Sequence, residues 1–344
     1  MRERRKIVEL WRGGKAAALV TLVRVEGSSY RRVGARLLVT TDGEYAGSIS
    51  GGCLEAEVVR KAAWMTRAGA VMERYSTVFD DTAEIPYGLG CGGTVDVLIE
   101  PAGTPEFETL MEALEMSLQG ERRHVVTRLP EGGARLSRAA GEEVVEIDAE
   151  SVFEEWIEAP QRLFVFGAGD DAQPMVQMAA LMGWSVTVVD GRAQWARAER
   201  FPDATRVVAA ATFEGLGEEI REKDAAVVMS HGYEQDRMWL EELLKRGPRY
   251  LGLLGSRHRS ALLVSEAAVA LGWSVERACT GLFAPVGLDI GGDGAEAIAL
   301  AVVAEIQACC EGKLGISRRM TPEMVGEQIA KGGASRYLLA QCAL

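Results

Sequence analysis

Short apolar stretches alternate with amphipathic ones in the second half of the chain, from about residue 160 onward. Residues 163–166 indicate a buried strand, residues 185–189 indicate another, and an amphipathic segment separates them. Alternation of strands and helices is typical of a parallel sheet that is covered by helices. Further strands of this sheet are expected at residues 205–208, 224–229 and 250–254.

The first half of the chain has a different pattern, with apolar strands joined by polar or glycine-rich turns. Asp42-Gly43 is a strong hairpin signal. Helices are predicted over residues 54–67 and 106–118. Strands are expected at residues 16–25, 37–40, 45–50, 71–78, 94–100, 124–128, 134–138 and 144–147.

Together the two patterns predict an α/β protein, and its length of 344 residues favours two domains. A mixed α/β cysteine-bearing domain precedes a Rossmann-like, doubly wound parallel sheet domain. The predicted segments are residues 1–104, a connecting α/β segment at 105–159, the Rossmann-like domain at 160–312, and a C-terminal helix and tail at 313–344. The apolar tail is expected to dock on the body or on a second copy, which is compatible with a homodimer.

Composition and charge exclude several classes of protein. The net charge of −12 argues against a nucleic-acid partner. No stretch approaches the roughly 18 consecutive apolar residues of a membrane span, and the basic start lacks the apolar region of a secretory signal. The six cysteines form no C-x-x-C pair and no zinc spacing, so we expect free thiols in the cytoplasm.

A glycine motif follows the first strand of the predicted Rossmann sheet. In the sequence GAGDDA, Gly167 permits a tight turn and Gly169 lets the backbone approach a pyrophosphate. Asp190 lies about 20 residues further on, where a carboxylate binds ribose hydroxyls. Arg192 can meet a phosphate or pair with Asp190, so NAD-like and NADP-like ligands both stay open.

Two further segments lie at the carboxyl ends of predicted strands, where ligands bind in open α/β sheets. His231 follows the fourth strand and is the best candidate for a general acid or base. The alternative is that His231 only caps a loop. Gly255 and Ser256 follow the fifth strand and are expected to contact a cofactor.

Cysteines stand in two glycine-rich segments of the first half. Cys53 follows Gly51 and Gly52 at the start of a predicted helix, where the helix end lowers a thiol pKa and backbone N–H groups can bind an anion. Cys91 lies in the sequence GLGCGG. The alternatives are that Cys53 is a small buried apolar residue and that the second segment is a turn without a ligand.

Seven stretches, in this order, resemble the XdhC/CoxI family of xanthine dehydrogenase accessory factors. They are GSSYRRVGARLLV, GSISGGCLE, GLGCGGTVDVLIEP, GAGDDAQP, VTVVDGR, YLGLLGSR and APVGLDIG. Tyr30 and Val33 stand where the family pattern has prolines. Gly232 follows His231 where an acidic or polar residue is usual, which weakens a pairing of His231 with an acid at that position.

The resemblance implies a protein that binds molybdenum cofactor and protects it. It also implies sulfuration of the cofactor with a cysteine desulfurase and insertion into a molybdenum hydroxylase of the xanthine dehydrogenase type. Such a protein is a cofactor chaperone rather than a catalyst with its own turnover. Cys53 and Cys91 match the two glycine-flanked cysteines of the family, and Cys53 either contacts molybdenum or carries sulfur.

Two interpretations of function therefore follow from the sequence. In the first, the thiols receive molybdenum cofactor and Arg31, Arg32 and Arg36 bind its pterin phosphate. In the second, the Rossmann-like domain belongs to an NAD(P)-dependent oxidoreductase with His231 as acid or base. That domain is expected to hold NAD(P) or another dinucleotide, yet the chain has no recognisable carbonyl-reducing group of residues such as Tyr-x-x-x-Lys.

Overall fold

The computed structural model describes residues 1–52, 54–76, 93–147, 151–216 and 219–315. These residues form two compact units: one contains residues 3–159, and the other contains residues 160–315 together with Met1 and Arg2. None of the helices in this described part of the chain has the length and apolarity that crossing a membrane requires. The segment 105–159, predicted as a connector, lies within the first unit.

The first unit contains an antiparallel sheet of order β3-β2-β1-β5-β4 and a separate sheet of order β7-β6-β8. Its elements are α1 (Arg2–Arg12), β1 (Ala16–Glu26), β2 (Arg36–Thr40), β3 (Tyr45–Gly47), α2 (Glu55–Met65), β4 (Val71–Ser76), β5 (Thr94–Pro101), α3 (Pro105–Leu118), β6 (Arg123–Arg128), β7 (Ser137–Gly141) and β8 (Val152–Ile157).

Both faces of the larger sheet are covered, which explains why its central strand β1 is almost wholly apolar. Leu19 packs in a cluster with α1 and α3, whereas Val20 and Leu22 pack on the opposite face with α2. The β2–β3 hairpin confirms the signal at Asp42-Gly43. Strand β3 ends at Gly47, and not at residue 50 as predicted, because the following backbone turns around a side chain of α2, described below.

The last strand of the smaller sheet differs from the prediction. We expected a strand at residues 144–147, but the strand that pairs with β6 is β8, with His124 opposite Trp156. Two adjacent glutamates interrupt the apolar pattern of β8, so the sequence does not indicate a strand there. Glu154 lies 2.7 Å from Nε2 of the buried His124, and Glu155 accepts a hydrogen bond from Arg36, so both charges are paired.

The second unit is a six-stranded sheet of order β11-β10-β9-β12-β13-β14. All of its strand pairs are parallel. Its elements are β9 (Arg162–Phe166), α4 (Ala172–Leu181), β10 (Ser185–Asp190), β11 (Arg206–Ala209), α5 (Phe213–Leu216), β12 (Ala225–Val228), α6 (Tyr233–Arg246), β13 (Tyr250–Leu253), α7 (Arg257–Leu271), α8 (Val275–Cys279), β14 (Leu282–Phe283) and α9 (Ala295–Cys310).

This strand order confirms the predicted Rossmann-like, doubly wound sheet. One apolar cluster fills the face covered by α4 and α9, and a second fills the face covered by α6 and α7. The order of the chain reverses between β9 and β12. In open α/β sheets this reversal opens a crevice at the carboxyl ends of the strands, so the segments after β9 and β12 border the expected ligand position.

Candidate functional site

A buried carboxylate organises the loop of residues 48–52, which precedes Cys53. Oε1 of Glu55 accepts hydrogen bonds from the N–H groups of Ile49, Ser50 and Gly51 at 2.9, 2.9 and 3.2 Å. It also accepts one from the Ser48 hydroxyl at 2.7 Å. The other oxygen, Oε2, accepts from Gly52 N–H at 2.8 Å and from the Ser50 hydroxyl.

These hydrogen bonds explain how Glu55 stays charged in a buried position. Glu55 is only 4% exposed, and burial by itself raises the pKa of a carboxyl group. The hydrogen bonds from Ser50 and Ser48 overcome that effect and lower the pKa of Glu55 to about 2. The N–H groups of Gly51 and Gly52, which we expected to face a cofactor, donate to Glu55, so an anionic ligand reaches them only by displacing this carboxylate.

The same hydrogen bonds hold the chain on both sides of Cys53, a residue that lies outside the described part of the structure. On one side, Gly52 N–H is bound to Glu55. On the other side, Leu54 N–H donates to the Ser50 hydroxyl oxygen at 2.9 Å, and the Leu54 side chain is buried. The backbone is therefore fixed immediately before and immediately after the cysteine.

A second loop, residues 27–36 (the arginine loop), packs against the loop of residues 48–52. Gly51 has φ of +89°, and a Cβ atom built on it would lie 2.5 Å from Cδ1 of Tyr30. The ring of Tyr30 thus occupies the space beside Gly51. Tyr30, which stands where the family pattern has proline, forms the contact between the two loops.

The end of the second cysteine-bearing segment contacts the arginine loop as well. A Cβ atom on Gly93 would lie 2.2 Å from the backbone oxygen of Ser28 and 2.8 Å from that of Glu26, so only glycine fits there. Cys91 itself lies outside the described residues. Residues that neighbour Cys53 and Cys91 in the chain therefore both contact the arginine loop.

The arginines of this loop have different surroundings. Arg31 donates a hydrogen bond to Glu3, and the buried Arg36 donates to Glu155, so both have acidic partners within the protein. Arg32 is exposed. Of the three arginines predicted to bind a pterin phosphate, Arg36 is buried on Glu155 and Arg31 would have to give up its contact with Glu3, so Arg32 is the most accessible.

A cavity of about 270 Å³ opens next to the start of the arginine loop. Arg74 links this cavity to the loop, because it donates to Glu26 at 2.6 Å and to Asp96 at 2.7 Å. Arg24 and Glu131 form a paired contact with distances of 2.6 and 2.9 Å. The lining residues are Arg24, Met72, Glu73, Arg74, Asp96 and Glu131. Four of the charged groups on this wall, those of Arg24, Arg74, Asp96 and Glu131, are paired with one another.

In the second unit, the glycine turn (residues 167–171) follows β9 as predicted. Gly167 has φ of +137°, and a Cβ atom there would lie 2.3 Å from the Met229 backbone oxygen. A Cβ atom on Gly169 would lie 2.5 Å from Oδ1 of Asp171. Gly167 is thus required by the close approach of the segment after β12, and the side chain of Asp171 fills the space beside Gly169.

Asp190, at the end of β10, is bound to both the glycine turn and Arg192. Oδ2 accepts from Ala168 N–H at 2.8 Å and from Nη2 of Arg192 at 2.7 Å. Oδ1 accepts from the N–H and Nε of Arg192 at 2.8 and 2.9 Å. Burial by itself would raise the pKa of Asp190, but the hydrogen bonds from Arg192 and Ala168 lower it below its usual value. Of the two roles considered for Arg192, the structure shows the pairing with Asp190.

His231 has an acidic partner that the sequence did not indicate. Its Nε2 lies 2.7 Å from Oδ2 of Asp171 in the glycine turn, whereas we had looked for an acid at position 232. His231 has a φ of +63°, which costs a residue with a side chain about 1 kcal/mol or more. Its side chain is 61% exposed, so the imidazole is accessible at the edge of the sheet.

The predicted residues after β13 have mainly local partners. The Ser256 hydroxyl accepts from Arg259 N–H at 3.3 Å and caps α7. Arg259 in turn donates to the buried Asp236 at 2.7 Å, and Asp236 accepts from the N–H and hydroxyl of Ser230 at 2.9 and 2.5 Å. Sequence reasoning missed Asp236 and Arg259, which connect the segments after β12 and β13.

The edge of the Rossmann sheet therefore brings together Gly167, Gly169, Asp190, Arg192, His231, Gly255 and Ser256. Its fit to a dinucleotide is partial. A ribose would have to replace Arg192 on Asp190, and a pyrophosphate would meet the carboxylates of Asp170 and Asp171. Each of these carboxylates has a basic partner. Arg200 donates to Asp170 at 2.6 Å, and His231 contacts Asp171. Among the described residues, no cluster of three or more His, Cys, Asp or Glu side chains is placed to bind a metal ion.

Two family models match this chain. The model for the XdhC and CoxI family matches residues 10–76, which include the arginine loop, residues 48–52 and Cys53. The model for the XdhC Rossmann domain matches residues 163–306, which include the glycine turn and His231.

Individual proteins and a solved structure agree with these matches. The chain is 31% identical over 313 residues to a probable xanthine dehydrogenase subunit of Bacillus subtilis, covering 84% of this chain and 92% of the relative. It is 28% identical over 301 residues to the molybdenum cofactor insertion chaperone PaoD of Escherichia coli, covering 87% and 85%.

A crystal structure at 2.80 Å, described as a xanthine dehydrogenase from Bacillus halodurans, matches with a TM-score of 0.77 and 28% identity, covering 94% of this chain and 99% of that one. These similarities confirm the resemblance that the seven sequence stretches indicated. The protein belongs to the XdhC/CoxI family.

Proposed function

We propose that this protein binds molybdenum cofactor and assists its insertion into a molybdenum hydroxylase of the xanthine dehydrogenase type. The observation that carries the proposal is the convergence of the two cysteine-bearing segments on the arginine loop, through Gly51 with Tyr30 and Gly93 with Ser28. The name of the Escherichia coli relative, a molybdenum cofactor insertion chaperone, supports it.

The chemistry of these segments suits such a cargo. Thiolates are soft ligands that favour soft metal centres and can carry sulfur. Arginine side chains bind phosphate groups through several N–H donors, and Arg32 is exposed in the arginine loop. In this proposal Cys53 and Cys91 contact the metal-bearing part of the cofactor, and Arg32, assisted by Arg31, binds its phosphate.

The finer parts of the proposal concern partners and location. A cysteine desulfurase supplies sulfur to the cofactor while this protein holds it, and the protein acts as a chaperone rather than as a catalyst with its own turnover. We further propose that it works in the cytoplasm and as a homodimer. The desulfurase and chaperone parts rest on the resemblance to the family, the cytoplasm on the free thiols expected from the cysteine pattern, and the homodimer on the apolar tail of the sequence.

A reconstitution experiment tests the main proposal. Purified protein is loaded with molybdenum cofactor and mixed with a cofactor-free hydroxylase, and the recovered hydroxylase activity is measured. We expect Cys53→Ala and Cys91→Ala to lose most of the activation. The control is Cys279→Ala, because Cys279 is an exposed cysteine of the Rossmann unit. Equal activation by all three variants would refute the role of the two cysteines.

A second candidate function is favoured by one observation, the contact between His231 and Asp171. A histidine held by a carboxylate at the carboxyl edge of a Rossmann sheet is suited to general acid–base chemistry. The candidate is an NAD(P)-dependent oxidoreductase. Turnover of NADH or NADPH with a panel of carbonyl compounds, abolished by His231→Ala, would support it, and nucleotide binding without turnover would contradict it.

A further inference from the structure

The carboxylate of Glu55 has no counterpart in the predictions made from sequence, and its surroundings are unusual for a surface helix. It lies in the first turn of α2 and accepts hydrogen bonds from the consecutive N–H groups of residues 49–52 and from two serine hydroxyls. Successive backbone N–H groups that converge in this way form a nest for an anion. Here the anion belongs to the protein itself.

We propose that Glu55 is a positioning residue that holds the backbone of Gly52 and Leu54, the residues on either side of Cys53. The inference rests on the proposed function only in explaining why this restraint is useful. It concerns how the chain around the cysteine is held, and not what the cysteine binds.

The first argument is that the contacts of Glu55 lie on both sides of the cysteine. Gly52 N–H, directly before Cys53, donates to Glu55. Leu54 N–H, directly after it, donates to Ser50, whose own hydroxyl donates to Glu55. Removing the carboxylate therefore weakens the restraint at both neighbours of Cys53, with no direct contact to the cysteine required.

The second argument is that the loop of residues 48–52 depends on Glu55 for its shape. Gly51 and Gly52 have φ of +89° and +119°, and glycines in this region lose much conformational freedom when they are ordered. Ile49 and Leu54 anchor the two ends of the loop in the core, each about 1% exposed. Between these anchors, the hydrogen bonds to Glu55 account for the conformation of the two glycines.

The third argument comes from a comparison with a neighbouring glutamate of the same helix, which has a different set of partners. Glu57, two residues further along α2, pairs with Lys61 one turn away. Such a pair within one helix contributes only a few tenths of a kcal/mol in general. Glu57 contacts none of the N–H groups of residues 49–52, so it provides a matched control for Glu55.

The experiment compares the alkylation of individual cysteines in the full-length protein. Wild type, Glu55→Gln and Glu57→Gln are treated with iodoacetamide under native conditions, and the rate at each cysteine is followed by peptide mass spectrometry. The exposed Cys279 serves as an internal reference. Gln keeps the shape of Glu but removes one acceptor oxygen, so the hydrogen bond from Gly52 is lost.

We expect the rate at Cys53, relative to Cys279, to rise about tenfold in Glu55→Gln, since losing one such hydrogen bond shifts a local opening equilibrium by about that factor. Glu57→Gln should leave the ratio unchanged. General unfolding would also raise the rates at the partly buried Cys309 and Cys310, so unchanged rates at these two cysteines separate positioning from loss of stability. An unchanged ratio in a folded Glu55→Gln protein would overturn the proposal.

If Glu55→Gln does not fold, Ser50→Ala provides the same test, because it removes the hydroxyl that links Leu54 to Glu55 but keeps the backbone donors. Its ratio should rise by a smaller factor, and an unchanged ratio would overturn the proposal equally. Cofactor loading is measured separately on Cys53→Ala. A changed alkylation ratio together with normal loading of Cys53→Ala would preserve the positioning role and refute the proposed cargo contact.

Discussion

Two glycine-rich segments of this protein each enclose a carboxylate of their own chain, but they hold it in different ways. Glu55 is bound entirely by N–H groups and hydroxyls of residues 48–52. Asp190 receives one N–H group from the glycine turn, from Ala168, and its other described contacts come from Arg192. One carboxylate closes a loop, and the other is half of an ion pair.

The difference indicates what each segment can offer to a ligand. The donors around Glu55 belong to backbone that cannot move away without losing the loop itself, so this segment presents a fixed chain on either side of Cys53. The Arg192 side chain is 45% exposed and can leave Asp190 at moderate cost, which would free Arg192 for a phosphate and Asp190 for ribose hydroxyls. Residues 48–52 are therefore the more rigid segment, and the glycine turn with Asp190 and Arg192 is the more adaptable one.

Replacing Glu55 should have the largest effect on stability. Glu55→Gln is expected to lower the free energy of unfolding by on the order of 3 kcal/mol, because it removes the charged acceptor shared by four N–H groups and two hydroxyls. Denaturant titration measures this loss. Glu57→Gln should change the value by less than about 0.5 kcal/mol. Similar losses in the two variants would mean that the hydrogen bonds to Glu55 stabilise the protein no more than the ion pair of Glu57 does.

The contact between the two loops of the first unit is tested at Gly51. Gly51→Ala should cost about 2 kcal/mol, because a side chain at φ of +89° is strained and because it meets the Tyr30 ring. Tyr30→Ala should relieve the second part only. A double-mutant cycle should therefore give a coupling of about 0.5–1 kcal/mol. Strict additivity would show that Tyr30 does not pack on Gly51 in solution.

Breaking the ion pair of the second segment should cost less than breaking the nest. Asp190→Asn is expected to lower the free energy of unfolding by about 1–2 kcal/mol at neutral pH, because its partner Arg192 is half exposed and can turn to water. A loss as large as that of Glu55→Gln would contradict the distinction drawn between the two segments.

The effect of Asp190→Asn should also depend on pH in a defined direction. Because the pKa of Asp190 is lowered on folding, the carboxylate contributes stability above its unfolded pKa of about 3.9, and this contribution is lost as the pH falls through the folded value. The gap between wild type and Asp190→Asn should therefore narrow as the pH is reduced below about 4. A stability difference between the two proteins that grows in acid would contradict a pKa of Asp190 that is lowered on folding.

The smallest expected effect concerns His231. His231→Gly should be more stable than His231→Ala by about 1 kcal/mol, since both lose the contact with Asp171 but only glycine relieves the positive φ. Thermal unfolding of the two variants measures the difference. Equal stability would show that the backbone at position 231 is not strained.

Five of the six described strands of the Rossmann sheet, all but β14, could be predicted because their signals are local. A strand, a glycine motif, a helix and an acid at the end of the next strand all lie within about 30 residues, the length of one βαβ unit. The family resemblance could also be recognised from short motifs in order. Strand β8 could not, since its two charged residues are paired with Arg36 and His124 from distant parts of the chain.

The partners of the candidate site residues could not be predicted from the sequence. The sequence suggests that Gly51, Gly52 and Asp190 face a cofactor, whereas in the structure their polar groups contact Glu55 and Arg192. Asp171 and His231 are far apart in the chain, so nothing local joins them. A glutamate shortly after two glycines at a helix start was the one available sign of the nest around Glu55.

The most direct test of the proposed function is the small molecule that the protein carries. Native mass spectrometry of the protein isolated from its own host, with molybdenum and pterin measured on the same sample, decides it. We predict a bound molybdopterin that is retained in Cys279→Ala and lost in Cys53→Ala with Cys91→Ala. Isolation without pterin, or full retention in the double variant, would contradict the account.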